Sequence, residues 1–256
     1  MIYNLYSIKF LMKKALITGA SSGIGLVFAK KLSKDYDITL VSNEKEKLKE
    51  ALRLLSPGNH KIIFADLTIK KDIENVCNIL KKEKYNLLIN NAGVASYGNF
   101  KETDINKLNK IISLNCNAVM ILSHAYLKNA KHGDALIILS SALAFLPSSN
   151  GAVYAATKAF DSILGLSLWY QEKANDIYVM VLHPGITRTD IYKKSGFIKS
   201  TPRFITETPE QVVENAIKEL KKRKKPIVIS GRKNKFFVLL SRLFSRKSII
   251  KLMDRF

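Results

Sequence analysis

The sequence predicts an α/β fold: a doubly wound, seven-stranded parallel sheet with helices on both faces, followed by a basic C-terminal helical extension. Three observations carry this expectation. Short aliphatic runs recur at 14–18, 37–42, 61–65, 86–90, 134–140, 177–182 and 226–230. They are continuous rather than alternating, as in strands covered on both faces. Longer helical stretches separate them, at 23–34, 44–55, 70–83, 105–131, 153–174 and 209–224, which gives repeated strand–helix crossovers of right-handed sense. Finally, a glycine-rich turn joins the first strand to the first helix.

That turn reads Thr18-Gly19-Ala20-Ser21-Ser22-Gly23-Ile24-Gly25. Gly19 permits a tight turn. Gly23 and Gly25 let backbone approach a pyrophosphate and let the helix pack on the strand. The helix N-terminus offers free N–H groups and partial positive charge to phosphates. At the end of the second strand come Ser42, Asn43 and Glu44, and after the third come Asp66 and Leu67. The fourth strand ends in Asn90-Asn91-Ala92-Gly93, and Asn115 lies in the long helix that follows. Ser141 closes the fifth strand and Tyr154-x-x-x-Lys158 opens the next helix. Pro184-Gly185, Thr187 and Thr189 follow the sixth strand. Thr208-Pro209-Glu210-Gln211 carries a helix-start signature, with Thr as cap, Pro first and Gln third.

The T-G-x-x-x-G-x-G spacing, the N-N-A-G element and the Ser141/Tyr154/Lys158 set resemble the short-chain dehydrogenase/reductase family. The matches keep the family's order from residue 14 to about 190, and the layout continues to about 231. The resemblance implies a Rossmann-type domain that transfers a hydride between NAD(P)(H) and a carbonyl or alcohol. It implies that Ser141, Tyr154, Lys158 and Asn115 are catalytic. The cofactor contacts it implies are Gly19, Ser21, Ser22, Gly23, Ile24, Gly25, Ser42, Asn43, Asp66, Leu67, Asn91, Ala92, Gly93, Tyr154, Lys158, Pro184, Gly185, Thr187 and Thr189. Lys158 would also hold the nicotinamide ribose. Asn115 would kink its helix around a bound water and pass protons from Lys158 to solvent. A homodimer or homotetramer built on helices 105–131 and 153–174 is expected by the same analogy.

The chemistry follows from the residue types. A tyrosine is a poor base near neutral pH because its pKa is about 10. A lysine four residues on shares its helical face, and its ammonium favours the phenolate. Tyr154 can then exchange a proton with a carbonyl oxygen, which Ser141 hydrogen-bonds and fixes. Each residue also has a plainer reading. Tyr154 could be core, Lys158 surface, Asn115 a cap, and Ser140 competes with Ser141. The cofactor choice turns on the second strand's end. Neutral Asn43 neither repels nor pairs with a 2′-phosphate, Glu44 argues for NAD(H), and Ser42, Lys45 and Lys47 could reach a phosphate. The balance favours NADP(H), with NAD(H) the alternative.

Apolar residues make up 47 % of the 256-residue chain, which excludes wholesale disorder and suits one α/β domain over 12–231. Residues 1–11 should add nothing to the fold, and Met12 is a candidate start. Cys77 and Cys116 form no C-x-x-C pair, so neither a disulfide framework nor a zinc site is suggested, and no metal is expected. No run reaches the ~18–20 apolar residues of a membrane span. Residues 190–208 form an irregular insertion that, by the resemblance, closes over substrate. Its Ile191, Tyr192, Phe197, Ile198, Phe204 and Ile205 suit an apolar substrate.

The net charge is +21, of which fourteen Lys/Arg against two acids place +12 in residues 218–256. Within that tail, Phe236, Leu239, Leu240, Leu243 and Phe244 recur at helical spacing, and Ile249, Leu252, Met253 and Phe256 repeat the pattern. Residues 232–256 are therefore expected to form a basic amphipathic extension. It could dock on a membrane surface, on its own domain or on a subunit partner. The expected location is cytoplasmic, with peripheral contact on the inner face of the membrane. A catalytically silent dinucleotide-binding sensor or scaffold working through this tail is the second functional reading. Nucleic-acid binding is not expected, because stacking aromatics are not evident among the basic residues.

Overall fold

The computed structural model describes residues 12–191, 195 and 206–255. Residues 1–11 lie outside the described residues, as do Tyr192, Phe197, Ile198, Phe204 and Ile205 of the expected lid, Phe256, and the side chains of Leu252 and Met253.

All seven expected strands are present, within a residue of the predicted bounds: β1 Lys13–Thr18, β2 Tyr36–Ser42, β3 Lys61–Phe64, β4 Leu87–Asn90, β5 Ala135–Leu139, β6 Tyr178–His183 and β7 Ile227–Ile229. They form one sheet of order β3-β2-β1-β4-β5-β6-β7, with every pairing parallel. The order reverses between β1 and β4. Crevices at the carboxyl ends of strands flanking such a switch are where open α/β sheets take ligands.

The sheet buries two faces. Ala15, Ile17, Ile38, Leu40, Ile89 and Met180 point into one core, under helices α1 (Gly23–Leu32), α2 (Lys45–Arg53) and α7 (Pro209–Lys222). Leu16, Val41, Leu88, Leu136 and Val179 point into the other, under α3 (Lys70–Lys82) and α5 (Val119–Leu127). Alternation along one strand thus feeds two apolar layers, which explains why the strands read as unbroken aliphatic runs. Helix α7 starts as its sequence predicts. Thr208 accepts from the Gln211 amide and the Gln211 side chain returns the bond, a capping box.

Two expectations need correction. The long helix expected at 105–131 is divided into α4 (Ile105–Ile112), a π-turn at Ser113–Ala118, and α5. Helix α6 (Ala152–Glu172) is unbroken. The C-terminal stretch is also divided. Helix α8 (Arg232–Ser241) ends before Leu243 and Phe244, and α9 (Arg246–Arg255) starts beyond them, so the apolar positions do not make one continuous stripe. Phe236, Leu239, Leu243 and Phe244 stand out in solvent, while Val238 and Ile249 are the buried side chains among those described in α8 and α9. The N-terminus of α8 sets this rotation. Asn234 donates to Glu207 Oε2 and to the Ser230 carbonyl, both at 2.9 Å, and Ser230 donates to Glu207 Oε1 at 2.7 Å. With Asn234 held inward, Val238, one turn on, faces the domain as well.

Candidate active site

The glycine turn sits at the carboxyl end of β1. Gly19 and Gly23 have φ of 63° and 54°, a region open to glycine and costly for most other residues. The three glycines divide their work more sharply than their spacing suggests. A β-carbon at Gly19 would press on Asn91 and Ala92 of the neighbouring turn. One at Gly25 would strike the Gly19 carbonyl, so Gly25 serves helix–strand packing. One at Gly23 would meet just the Thr189 side chain, which leaves the backbone there open to a ligand. Ser22 caps α1 without a side-chain bond, and Ile24 packs into the core. This fits the cradle a pyrophosphate needs.

Thr18 ties β1 to β4. Its hydroxyl accepts from the amides of Asn91 and Ala92, both at 3.0 Å, while Asn91 Nδ2 donates to the carbonyls of Thr18 at 2.8 Å and Gly19 at 3.1 Å. At the end of β2, Ser21 and Ser42 share a hydrogen bond of 2.9 Å, and Ser21 also donates to Glu44 Oε2 at 3.1 Å. Lys47 pairs with Glu44 Oε1 at 2.7 Å. Asn43 donates to Asp66 Oδ2 at 3.3 Å. Burial opposes ionisation of Asp66, but bonds from Thr68 and Asn43 outweigh it and hold the carboxyl below its usual range. Leu67 is buried beside it.

The residues expected to be catalytic lie beyond β4, β5 and β6. The two serines separate by what they hold. Ser140 is buried and donates to the Lys158 carbonyl at 2.7 Å, fastening β5 to α6. Ser141 hydrogen-bonds the Tyr154 hydroxyl. The Ser141 carbonyl accepts from His183 Nδ1 at 3.0 Å, which fixes the ring's tautomer. Burial pushes His183 down to about 4, so the imidazole is neutral. Phe145, in the 3-10 turn Ala142–Phe145, stacks on it at 4.7 Å.

Tyr154 is buried on the first turn of α6, with the Tyr97 ring 6.0 Å away. The Tyr97 amide donates to the carbonyl of Ser195, so this described residue of the expected lid reaches the same wall. Lys158 is not a surface lysine. It is buried and donates from Nζ to the Leu139 carbonyl and to Asp161 Oδ2, both at 2.9 Å. Its Nζ lies 6.0 Å from the Tyr154 ring centroid. The expected acidification of Tyr154 is absent from this arrangement. Burial pushes the phenol up to about 12; the Ser141 bond opposes this and the Asp161 charge adds to it. Asp161 is the residue the sequence reading missed. An acid three positions after the lysine on a helix was a legible signal.

Asn115 is fully buried inside the π-turn. Its amide holds Val94 by two bonds of 2.9 Å and donates to Thr157 Oγ1 at 3.1 Å. The expected helix distortion is therefore present at Asn115. Gly93 lies close to both Asn115 and Lys158, with no room to spare for a larger side chain beside the amide. Pro184 accepts from the Ala142 amide at 2.8 Å, Thr187 donates to the Gly185 carbonyl at 3.0 Å, and Thr189 lies over Gly23. The expected residues that are described thus gather along one edge of the sheet. Among the described residues no cluster of His, Cys, Asp or Glu could hold a metal ion.

A Rossmann-type sheet with a dinucleotide cradle and an adjoining serine, tyrosine and lysine defines the class of nicotinamide-dependent oxidoreductases. The chain belongs to the short-chain dehydrogenase/reductase family: the family model described as short chain dehydrogenase matches residues 13–196. A very-long-chain 3-oxoacyl-CoA reductase of Anas platyrhynchos is 30 % identical over 79 % of this chain and 67 % of its own length. A 3-oxoacyl-[acyl-carrier-protein] reductase of Rickettsia felis is 29 % identical over 80 % and 87 %. Among solved structures, a short-chain dehydrogenase from Sphingobium yanoikuyae in complex with NADPH superposes with a TM-score of 0.78 at 28 % identity, covering 85 % of this chain and 87 % of that one. The chain is accordingly a short-chain dehydrogenase/reductase and an oxidoreductase by family.

Proposed function

We propose that this enzyme interconverts a carbonyl and an alcohol on an apolar small molecule, with Tyr154 as the proton donor and acceptor. The observation that carries the reading is the placing of Ser141 and Lys158 around one buried phenol at the switch edge of the sheet. The bound dinucleotide supplies or accepts the hydride. Ser141 holds the reacting oxygen beside the phenol, and Tyr154 gives it a proton in reduction or takes one in oxidation. Lys158 and Asn115 stand behind it to hold the ribose and return protons to solvent. Burial of the phenol, with Tyr97 against it, excludes water from the step. An intact Ser141/Tyr154/Lys158 set speaks against the silent sensor or scaffold.

The test is Tyr154→Phe. Turnover of a panel of apolar ketones and aldehydes should fall at least ~10²-fold, while dinucleotide affinity by fluorescence titration stays within about twofold. Retained turnover would sink the assignment.

Glu44 supports NAD(H) over the NADP(H) that neutral Asn43 together with Ser42, Lys45 and Lys47 favours. Its carboxylate, bonded to Ser21 across from Ser42, lies where a 2′-phosphate would otherwise find neutral hydroxyls. Exposed Ile112, Met120, Ile121, Phe160 and Ile163 on or beside α4, α5 and α6 support a homodimer or homotetramer through those helices, which light scattering checks. The exposed Phe236, Leu239, Leu243 and Phe244 among basic side chains support peripheral contact with an anionic membrane. No helix among the described residues is long and apolar enough to cross one.

A further inference from the structure

We propose that Asp161 is a positioning residue that holds Lys158 back from Tyr154 and cancels its charge, so that the pH at which Tyr154 works is set by the ion pair and not by the lysine alone. The inference rests on the oxidoreductase reading of the site. Asp161 lies one turn after Lys158 on α6 and is 0 % exposed. Its Oδ2 takes the ammonium at 2.9 Å, and its Oδ1 has no hydrogen-bond partner among the described residues. The other Lys158 bond, to the Leu139 carbonyl, fixes the ammonium on the same side.

The groups that face this pair are few. Cys116, in the π-turn, is pushed up to about 11 by burial and by Asp161, and so stays a neutral thiol. His183, on β6, is neutral as well. Tyr154, one turn earlier on α6, is a neutral phenol when it donates and carries charge only as the phenolate that accepts a proton in oxidation. Lys158 is then the cation that meets Asp161. Burial raises the Asp161 carboxyl and the Lys158 charge opposes that rise. A buried pair of this kind is weak as a stabiliser, because desolvating two charges offsets their attraction. Its effect on a neighbour is larger. A lone ammonium near a phenol favours the phenolate, whereas an ammonium paired to a carboxylate acts as a dipole whose field fades with distance. Since the shared helix face puts both charges under Tyr154, the carboxylate removes the help that Lys158 would give.

Asp161→Asn keeps the shape and one acceptor while it deletes the charge. The first readout is the pH dependence of kcat/KM for alcohol oxidation, in which Tyr154 accepts the proton. Its apparent pKa should fall by about one unit or more in Asp161→Asn, and Asp161→Glu should return it toward the parent. The second readout needs no turnover: the near-ultraviolet phenolate absorbance, taken as the difference between chains with and without Tyr154→Phe. That difference should appear at lower pH once the carboxylate is gone. Should Asp161→Asn not fold, Asp161→Ser, which leaves room for a water, serves in both measurements. A phenolate transition that is unmoved, or moved to higher pH, would overturn the inference. A chain that shows the spectral shift yet turns over no carbonyl would instead sink the oxidoreductase reading and leave Asp161's electrostatic role standing.

Discussion

The Asn234 amide occupies the space above Gly185 that a β-carbon would need, so the first turn of α8 is seated on the loop that follows β6. The start of α8 is therefore fastened to the domain. Asn234, Ser230 and Glu207 form a latch, and Glu207 continues it by backbone pairing with Ile186 and Arg188 on either side of Thr187. Gly185→Ala forces the amide out. The expected cost is about 1–3 kcal/mol, typical of an inserted methyl in a packed site. A thermal melt should show it as a drop of several degrees, and the KM for dinucleotide should rise. In the double variant with Asn234→Ala the loss should be smaller than the sum of the single losses, since the two changes share one contact. Strictly additive losses would rule the latch out.

Exchanging Glu44 tests the cofactor choice. Glu44→Ser removes the carboxylate beside Ser21 and leaves Lys45 and Lys47 in place. The ratio of NADPH to NADH affinity should rise about tenfold or more, a change of ~1.4 kcal/mol. An unchanged ratio would place the 2′ group elsewhere.

The seven strands, the glycine cradle and the serine–tyrosine–lysine set were legible because each leaves a local trace. Buried parallel strands must be aliphatic, and tight turns need glycine. The missed features depend on contacts between distant segments. Only the fold reveals that Ser140 ties down Lys158 while Ser141 faces Tyr154, because adjacent residues at a strand end point opposite ways. Helix periodicity through 105–131 does not mark the π-turn, since one added residue leaves no gap in an apolar pattern; the kink at Asn115 is expected from the family resemblance alone. Likewise the spacing of Phe236, Leu239 and Leu243 reads as one amphipathic stripe that could face a membrane, the domain or a partner. It gave no hint that Asn234 would turn Val238 inward and leave those three outside.

His183 sets a pH limit on stability. The unfolded chain takes up a proton at this histidine below about 6.5, whereas the folded chain refuses it down to about 4. The unfolded state thus binds more protons throughout that window, and stability falls as pH falls through it. The loss reaches about 3 kcal/mol at the acid end. His183→Asn can still donate to the Ser141 carbonyl but does not titrate there. Its melting temperature should drop less than the parent's between pH 7 and 4.5. Parallel curves would remove His183 from the acid sensitivity.

The tail separates into a latched part and an exposed part, and this decides how membrane contact is tested. Deleting 232–256 would also remove Asn234 and disturb the loop at Gly185, so lost binding or lost activity would be ambiguous. Leu243→Glu with Phe244→Glu changes side chains in the link between α8 and α9 that are 77 % and 56 % exposed. The double variant should melt like the parent. Its co-sedimentation with anionic phosphatidylserine vesicles should fall by about tenfold or more, because buried apolar area and basic charge act together at such surfaces. Vesicles of neutral phosphatidylcholine should bind the parent weakly, and added salt should weaken the anionic case, as screening of Arg242, Arg246 and Lys247 requires. Equal binding by parent and variant would leave those two side chains without a role at a lipid surface, and a change in oligomer size instead would assign them to a second copy of the chain.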